Sequence, residues 1–283
     1  MKYNLTEPFF LKGGAIEMDA IEKWKDKSYL KRKFNNPTVQ VEQYKSSEDM
    51  QMSKCERVDM KFNDFLDNSH SGQYLTDCQI TYKDVHEDIY RDLVNPRLFG
   101  PFTETPVACM LYIGEDTKTG CHVHIGGTRN SYDFALHQIV GKKIVHLFPF
   151  EELTLESLFN KRLNFSKENA FQLDKSKYNG YTVELEPGDV LYIPPWTWHA
   201  CENVGYSVMA TKVFVRNTDF LKHKKFKKYK NRRRLKSLSR YLKISSYSVH
   251  KFGKILYSCQ DFFNKIIKYL TNYIILWKKI KRA

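Results

Sequence analysis

The sequence predicts a mainly β protein with helical decoration and a basic C-terminal extension. After Pro106 the chain becomes a series of short runs rich in β-branched and aromatic residues, punctuated by Gly, Pro or Asn. Many short strands with turn signals are typical of an all-β sandwich or barrel. Before about residue 100 the chain mixes helical and strand patterns, and after about residue 220 lysine and arginine dominate.

The individual elements follow from composition and period. In the first hundred residues the sequence predicts a helix over Ala20–Phe34, a strand over Thr38–Tyr44, and short helices over Met60–Leu66 and Val85–Leu93. Later strands are predicted over residues 106–114, 142–150, 181–187, 189–195 and 206–215.

The C-terminal extension differs from the rest of the chain in charge. Residues 222–283 contain 20 Lys or Arg and one acid, which gives this segment a net charge of +19. Because the net charge of the whole chain is +14, residues 1–221 carry −5. Apolar residues recur at spacings of three and four over residues 252–277, which predicts an amphipathic helix. The predicted domains are therefore 1–221, with a prelude over about 1–100 and a barrel over about 101–216, and the extension 222–283.

Composition excludes several classes of protein. Hydrophobic residues make up 42% of the 283 and aromatic residues 14%, enough for a buried core. No apolar run is long enough to cross a membrane, and the N-terminus lacks a signal-peptide pattern, so we expect an intracellular protein, cytoplasmic or nuclear. The cysteines are scattered without a CxxC pair, which predicts reduced thiols rather than a disulfide scaffold or a zinc ribbon.

Three histidines suggest a metal site. His122 and His124 lie two apart in a predicted strand, so both point to one face of it. The strand that starts after the Pro-Gly-Asp turn ends at Pro194-Pro195 and presents His199 nearby. Two histidines plus one further ligand, with open positions, is the arrangement of a mononuclear non-heme iron oxygenase. The alternative is that these are ordinary structural histidines of a barrel.

The segments around these histidines resemble a known family. PGDVLYIPPWTWHACENVG, TKTGCHVH and GKKIVHLFPF are similar, in order, to the barrel of the cupin-like Jumonji-C hydroxylases, which are 2-oxoglutarate- and Fe(II)-dependent oxygenases. PFFLKGGAIEMDAIEKWKDKSYLKRKF, TVQVEQY, MKFNDFL and YLTDCQI are similar to that family's N-terminal prelude. The resemblance covers about residues 8–216 and implies a double-stranded β-helix (jelly-roll) core.

The resemblance also implies roles for single residues. His122 and His199 take the places of the first and last iron ligands, and Lys143 that of the lysine that grips the distal carboxylate of 2-oxoglutarate. Thr119 matches a threonine near the ligand strand, and Thr211 stands at the cofactor where an Asn is expected. Trp198 matches an aromatic residue that packs beside the metal.

Three positions depart from the family pattern. The usual His-x-Asp is His122-Val123-His124, so the third ligand is either His124 itself or Asp133 from the following segment. An Asn expected before the Gly-Lys-Lys turn appears as Phe134, and another as Thr211. These departures leave two functions open. One is a hydroxylase that uses Fe(II) and 2-oxoglutarate to oxidise a protein side chain or a tRNA base, and the other is a catalytically impaired cupin that serves as an interaction module.

The extension has its own candidate partners. The basic run 222–240, with Phe226 and Tyr229 interleaved, is suited to nucleic acid or to an anionic membrane surface. The amphipathic helix over 252–277 is suited to packing on the barrel or to homodimerisation. His137, His146, Cys121 and Cys201 are interpreted as structural residues.

Overall fold

The structure of the protein is a computed structural model that describes residues 6–68, 72–79, 87–94, 108–124, 131–149, 166 and 169–216. Strands are β1 Phe9–Leu11, β2 Thr38–Gln43, β3 Glu56–Lys61, β4 Gln73–Gln79, β5 Ala108–Glu115, β6 Lys118–His122, β7 Ser131–Phe148, β8 Tyr181–Leu185, β9 Val190–Ile193 and β10 Trp198–Arg216. Helices are α1 Ala20–Lys23, α2 Lys27–Phe34, α3 Ser47–Gln51, α4 Phe62–Asn68 and α5 Glu87–Asp92, with a 3-10 turn at Ser176–Tyr178.

The prelude differs from its sequence prediction in two places. The predicted helix 20–34 is two helices, because Asp26 adopts an extended conformation and its side chain accepts a hydrogen bond from the Ser28 amide, which starts α2 anew. The predicted helix at 60–66 begins at Phe62, since residues 56–61 pair with β2 as a strand that the sequence did not reveal.

Two long strands, β7 and β10, each run through both of the sheets that enclose the interior. The first half of β7 and the second half of β10 lie in a larger sheet with the order β1-β9-β7-β10-β5-β4-β2-β3. Their other halves form a smaller sheet in which β8 pairs with β7 and β6 pairs with β10. The ladder between the two strands shifts register where Gly141 and Gly205 adopt positive φ angles of 68° and 64°.

The two sheets pack face to face over an apolar interior. Phe134, Leu136 and Met209 from the larger sheet share one buried cluster with Val145 and Leu147 from the smaller sheet. A substituent on Gly141 has no room, because a Cβ there would lie 2.0 Å from the Tyr206 carbonyl oxygen.

The prelude helices cover the other face of the larger sheet. Trp24 and Phe65, both fully buried, pack with Ala210 and Phe214 of β10 in a second apolar cluster. Asp92 fixes α5 to this layer, since its carboxylate accepts hydrogen bonds from the Trp24 indole at 3.0 Å and the Tyr29 hydroxyl at 2.6 Å. The prelude helices therefore bury the outer face of the larger sheet, and its inner face packs in the other cluster.

The boundary predicted at residue 221 and the helix predicted over 252–277 lie outside the described residues, so both stay predictions. Within the part of the chain that the structure describes, no helix is long and apolar enough to cross a membrane.

Candidate metal centre

Three histidines meet where β6 lies beside β10. His122 is the last residue of β6 and His199 the second residue of β10, and the two are direct cross-strand partners. Paired residues of an antiparallel ladder point to the same face, so both side chains face the interior. His124 follows two residues after His122. The structure therefore brings together the three histidines that the sequence had put forward.

The three imidazoles are close enough to share one ion. Their ring centroids are 4.2 Å apart for His122 and His199, and 5.0 Å apart for His124 and each of the other two. One ligand atom from each histidine lies within 4.8 Å of the others. We call these residues the histidine triad. Imidazole nitrogens suit iron, zinc, copper and nickel.

Hydrogen bonds define the tautomer of two of the three imidazoles. His122 Nδ1 lies 2.9 Å from the Gly120 carbonyl oxygen, and His199 Nδ1 lies 3.0 Å from that of Thr197. Because a carbonyl only accepts, each Nδ1 carries the hydrogen and each Nε2 keeps its lone pair. Burial, followed by the nearby imidazoles, holds the pKa of His199 and of His124 well below the usual value. Both are therefore neutral at neutral pH, the state that a metal requires.

His124 lies beyond the end of β6 and is held by contacts from two other segments. The Phe134 ring from the larger sheet stacks on its imidazole with 3.9 Å between centroids and 26° between planes. The Trp196 amide donates to its carbonyl oxygen at 3.4 Å. Trp196 itself has a positive φ of 71°, which is rare for a bulky side chain and costs backbone strain. The third histidine is thus fixed in place, although no strand contains it.

A buried lysine lies on the same face as the triad, farther along the smaller sheet. Lys143 of β7 is 1% exposed, and its Nζ donates to Asn203 Oδ1 at 2.6 Å and contacts the Tyr74 hydroxyl at 3.5 Å. Burial lowers its pKa to about 8. No carboxylate among the described residues forms an ion pair with it. Its neighbour Lys142, in contrast, is more exposed and pairs with Glu184 on the outer face. We call Lys143 and the two residues that its ammonium contacts, Asn203 and Tyr74, the lysine pocket.

Two threonines predicted at the cofactor face this interior. Thr119 is the cross-strand partner of Cys201, which lies between His199 and Asn203 on the inner face of β10. Thr211 is 2% exposed and lies between Met209 and Val213 on that face of the strand, and its Oγ1 has no hydrogen-bond partner among the described residues. A buried hydroxyl of this kind is suited to a ligand contact.

Two other predicted site residues do not reach the triad. Asp133 is next to Phe134 on β7, so alternation turns it to the face that packs on the prelude helices, and it is not among the clustered ligand atoms. Trp198, although fully buried, alternates with His199 and faces the outside of the smaller sheet. The structure thus leaves His124 rather than Asp133 as the third candidate ligand and does not bring Trp198 beside the metal position.

The four residues that the sequence analysis interpreted as structural are buried or hydrogen-bonded within the sheets. His146 lies on the outer face of the smaller sheet, where it contacts Thr182 and Glu202. His137 is fully buried on the prelude side of the larger sheet, and its Nδ1 bonds the Ala135 carbonyl oxygen. Cys121 and Cys201 are buried, which raises the pKa of both thiols and keeps them protonated.

Sequence reasoning did not single out Asn203. It occurs in the segment ENVG, which has the composition of a turn, yet it belongs to β10. Counting in steps of two from His199 through Cys201 places Asn203 on the inner face. This period of two along the strand is the sequence signal that could have identified Asn203.

Comparison with known proteins gives a matching family and individual matches. Residues 3–220 match a family described as a cupin-like domain. The chain is 33% identical over 107 residues to the HSPB1-associated protein 1 homolog of Danio rerio, covering 33% of this chain and 22% of that protein. It is similar in fold to the X-ray structure of E. coli ycfD, with a TM-score of 0.50 and 18% identity over 84% of this chain and 55% of that one. The chain thus spans only part of each relative. The predicted jelly-roll class is confirmed.

Proposed function

Because this chain belongs to the cupin-like domain family, Jumonji-C-like as its sequence motifs predicted, we propose that it is an Fe(II)- and 2-oxoglutarate-dependent hydroxylase of a protein side chain or a tRNA base. The observation that carries the proposal is the pairing of two features on one inner face. Three imidazoles converge, and a buried lysine that forms no ion pair with a carboxylate among the described residues lies farther along the same sheet.

The residues present fit both groups. His122, His124 and His199 would hold the iron through neutral nitrogens, and the ammonium of Lys143 would hold the distal carboxylate of 2-oxoglutarate. Bound there, iron and co-substrate supply the oxidising chemistry, in which 2-oxoglutarate, O2 and a C–H bond become succinate, CO2 and a hydroxylated product.

The protein itself would position the co-substrate and exclude water from the site. Val145, Leu147 and Leu191 line the interior with apolar surface, which excludes bulk water and strengthens every charge contact inside. Thr119 and Thr211 add hydroxyl groups on the same face, where they would contact the co-substrate. Lys143 binds and orients, and no proton transfer is required of it.

The first test is an anaerobic titration of the metal-free protein with Fe(II) and 2-oxoglutarate. We expect a visible charge-transfer band that requires both additions, followed on admission of O2 by formation of succinate. The same titration with Zn(II) should compete for the site, because three histidines also suit zinc. A well-folded protein that gives neither band nor succinate would instead favour the non-catalytic interaction module.

We also propose a nucleic-acid contact for the basic run 222–240, which lies outside the described residues, as does the proposed dimerisation helix over 252–277. The favouring observation is a sequence with eleven basic residues, no acid and interleaved aromatics.

Single-stranded RNA should bind the full chain with a steep salt dependence. Replacing Arg232, Arg233 and Arg234 together by Gln should reduce the slope of log K against log salt by about 2, since each phosphate contact on a single strand contributes about 0.7. An unchanged slope, or binding to anionic vesicles in preference to RNA, would contradict a nucleic-acid contact.

A further inference from the structure

Asn203 is the nearest partner of the buried lysine. Asn203 and Lys143 are cross-strand neighbours on β10 and β7, and both are buried, at 6% and 1% exposed. The lysine Nζ donates to the amide oxygen at 2.6 Å. A contact this short between two buried groups fixes where the ammonium points.

The orientation of the amide is fixed from its other side. Asn203 Nδ2 donates to Thr117 Oγ1 at 2.8 Å, and the Asn203 backbone amide donates to the Thr117 carbonyl oxygen at 2.8 Å. Rotating the amide by half a turn would bring its NH2 group against the ammonium, two donors facing one another. The oxygen therefore stays on Lys143. A Cβ on Gly114 would lie 2.4 Å from Thr117 Oγ1 and 3.1 Å from Asn203 Nδ2, so glycine leaves the room for this arrangement.

The amide has a consequence that an acid of the same shape would not have. An amide oxygen accepts a hydrogen bond but carries no net charge, so the positive charge of Lys143 is held in place without being cancelled. An aspartate at position 203 would form a buried ion pair with Lys143 and would neutralise the charge that a ligand carboxylate needs. The burial that lowers the pKa of Lys143 to about 8 agrees with an ammonium that forms no ion pair within the part of the chain that the structure describes.

We propose that Asn203 determines the ligand specificity of the lysine pocket: it positions the Lys143 ammonium as a neutral acceptor and so reserves that charge for the distal carboxylate of a dicarboxylic ligand. The proposal rests on the proposed function for the identity of that ligand as a 2-oxo dicarboxylate. It predicts a strong preference for dicarboxylates over monocarboxylates of equal chain length. Asn203 acts here through Lys143, as a positioning residue.

The test uses calorimetry on the full chain with four probes. Glutarate and pentanoate have equal chain length but two carboxylates and one, and with metal-free protein they report the lysine pocket alone. 2-Oxoglutarate and 2-oxopentanoate, with Zn(II)-loaded protein, add the contact to the metal. With Zn(II) holding the 2-oxo acid end of each, the wild-type protein should bind 2-oxoglutarate at least about tenfold more tightly than 2-oxopentanoate, because only 2-oxoglutarate has a second carboxylate for Lys143. No such preference would overturn the proposal.

Two substitutions at position 203 distinguish the effect of a negative charge there from the effect of a changed side-chain shape. Asn203→Asp should weaken glutarate binding by roughly 10- to 100-fold and leave 2-oxopentanoate within about twofold. Asn203→Ser is neutral but too short to hold the ammonium as Asn203 does, so it should weaken the binding of 2-oxoglutarate less than Asn203→Asp does and keep the preference over 2-oxopentanoate. In a Lys143→Met background, Asn203→Asp should have no further effect on glutarate. Equal loss of both probe classes, or wild-type glutarate binding by Asn203→Asp, would overturn the role of Asn203.

The same data distinguish this inference from the proposed function. If glutarate binding depends on residue 203 as described but 2-oxoglutarate binds no more tightly with metal than without it, the hydroxylase proposal fails and the specificity of the pocket stands. If Asn203→Asp does not fold, Asn203→Ser and the wild-type preference decide the matter.

Discussion

Replacing His199 by Ala should abolish metal-dependent stabilisation of the protein. His199 offers one of the three clustered imidazole nitrogens, and its Nδ1 is already hydrogen-bonded to the Thr197 carbonyl oxygen. Loss of a group that merely orients a ligand costs 10- to 100-fold in metal affinity, so loss of the ligand itself should cost at least about 100-fold. At a metal concentration 100 times the wild-type dissociation constant, the wild-type protein gains about 2.7 kcal/mol, and the variant should gain less than about 0.5.

Thermal unfolding with and without Fe(II) or Zn(II), under anaerobic conditions, measures this gain. His124→Ala should behave as His199→Ala does, because the structure leaves His124 as the third candidate ligand. His146→Gln is the matched control, since His146 is also a buried histidine of the smaller sheet but faces outward. A full metal-dependent shift in His124→Ala would remove His124 from the ligand set.

Replacing Lys143 by Met should change how stability depends on pH. The pKa of Lys143 is about 8 in the folded protein and 10.5 in an unfolded chain, so between these values the unfolded state binds more protons. Wild-type stability therefore includes a contribution that rises with pH through this window and is missing below pH 8. The shift corresponds to about 3 kcal/mol. Met cannot titrate, so the variant lacks the rise.

The observable is the difference in free energy of unfolding between variant and wild type, from denaturant titrations at several pH values. We expect that difference to fall as pH rises from 8 towards 10.5, by up to about 3 kcal/mol. Taking a difference removes the buried thiols, including Cys109, whose raised pKa acts in the opposite sense above pH 9. Lys142→Met is the matched control and should show no such fall, because Lys142 lies on the surface in an ion pair. A constant difference would mean that burial does not depress the pKa of Lys143.

The sequence predicted the class of fold because its main signals are local. Period-two runs and Gly, Pro or Asn turns mark the strands at 108–115, 181–185 and 190–193 within a few residues of their observed ends. It did not show that 142–148 continues back to Ser131, or that the last strand starts at Trp198. Such continuations depend on which neighbour a segment pairs with, and pairing is a long-range property.

The sequence identified single residues of the candidate site, but it did not show the contacts between them. His122, His124, His199 and Lys143 were identified by motif, and the structure brings the histidines together. Two departures from the family pattern, His124 and Phe134, were separate anomalies in the sequence. In the structure they are one contact, a ring stacked on a ring at 3.9 Å. An imidazole in place of a carboxylate offers a flat apolar face, and an aromatic neighbour is suited to cover it.

The spacing of His199 and Asn203 along β10 has a consequence for the size of ligand that the interior accepts. His199 and Asn203 are four residues apart on one extended strand, a separation of roughly 13 Å between their Cα atoms. The hydrogen-bond ladders to β6 and β7 on either side prevent that strand from shortening or stretching. The strand therefore sets the spacing between the backbone positions of His199 and of Asn203, the residue that holds the Lys143 ammonium. We expect the interior to select ligands by their length. A dicarboxylic acid one carbon shorter than the best-fitting one would contact either the metal or Lys143, but not both.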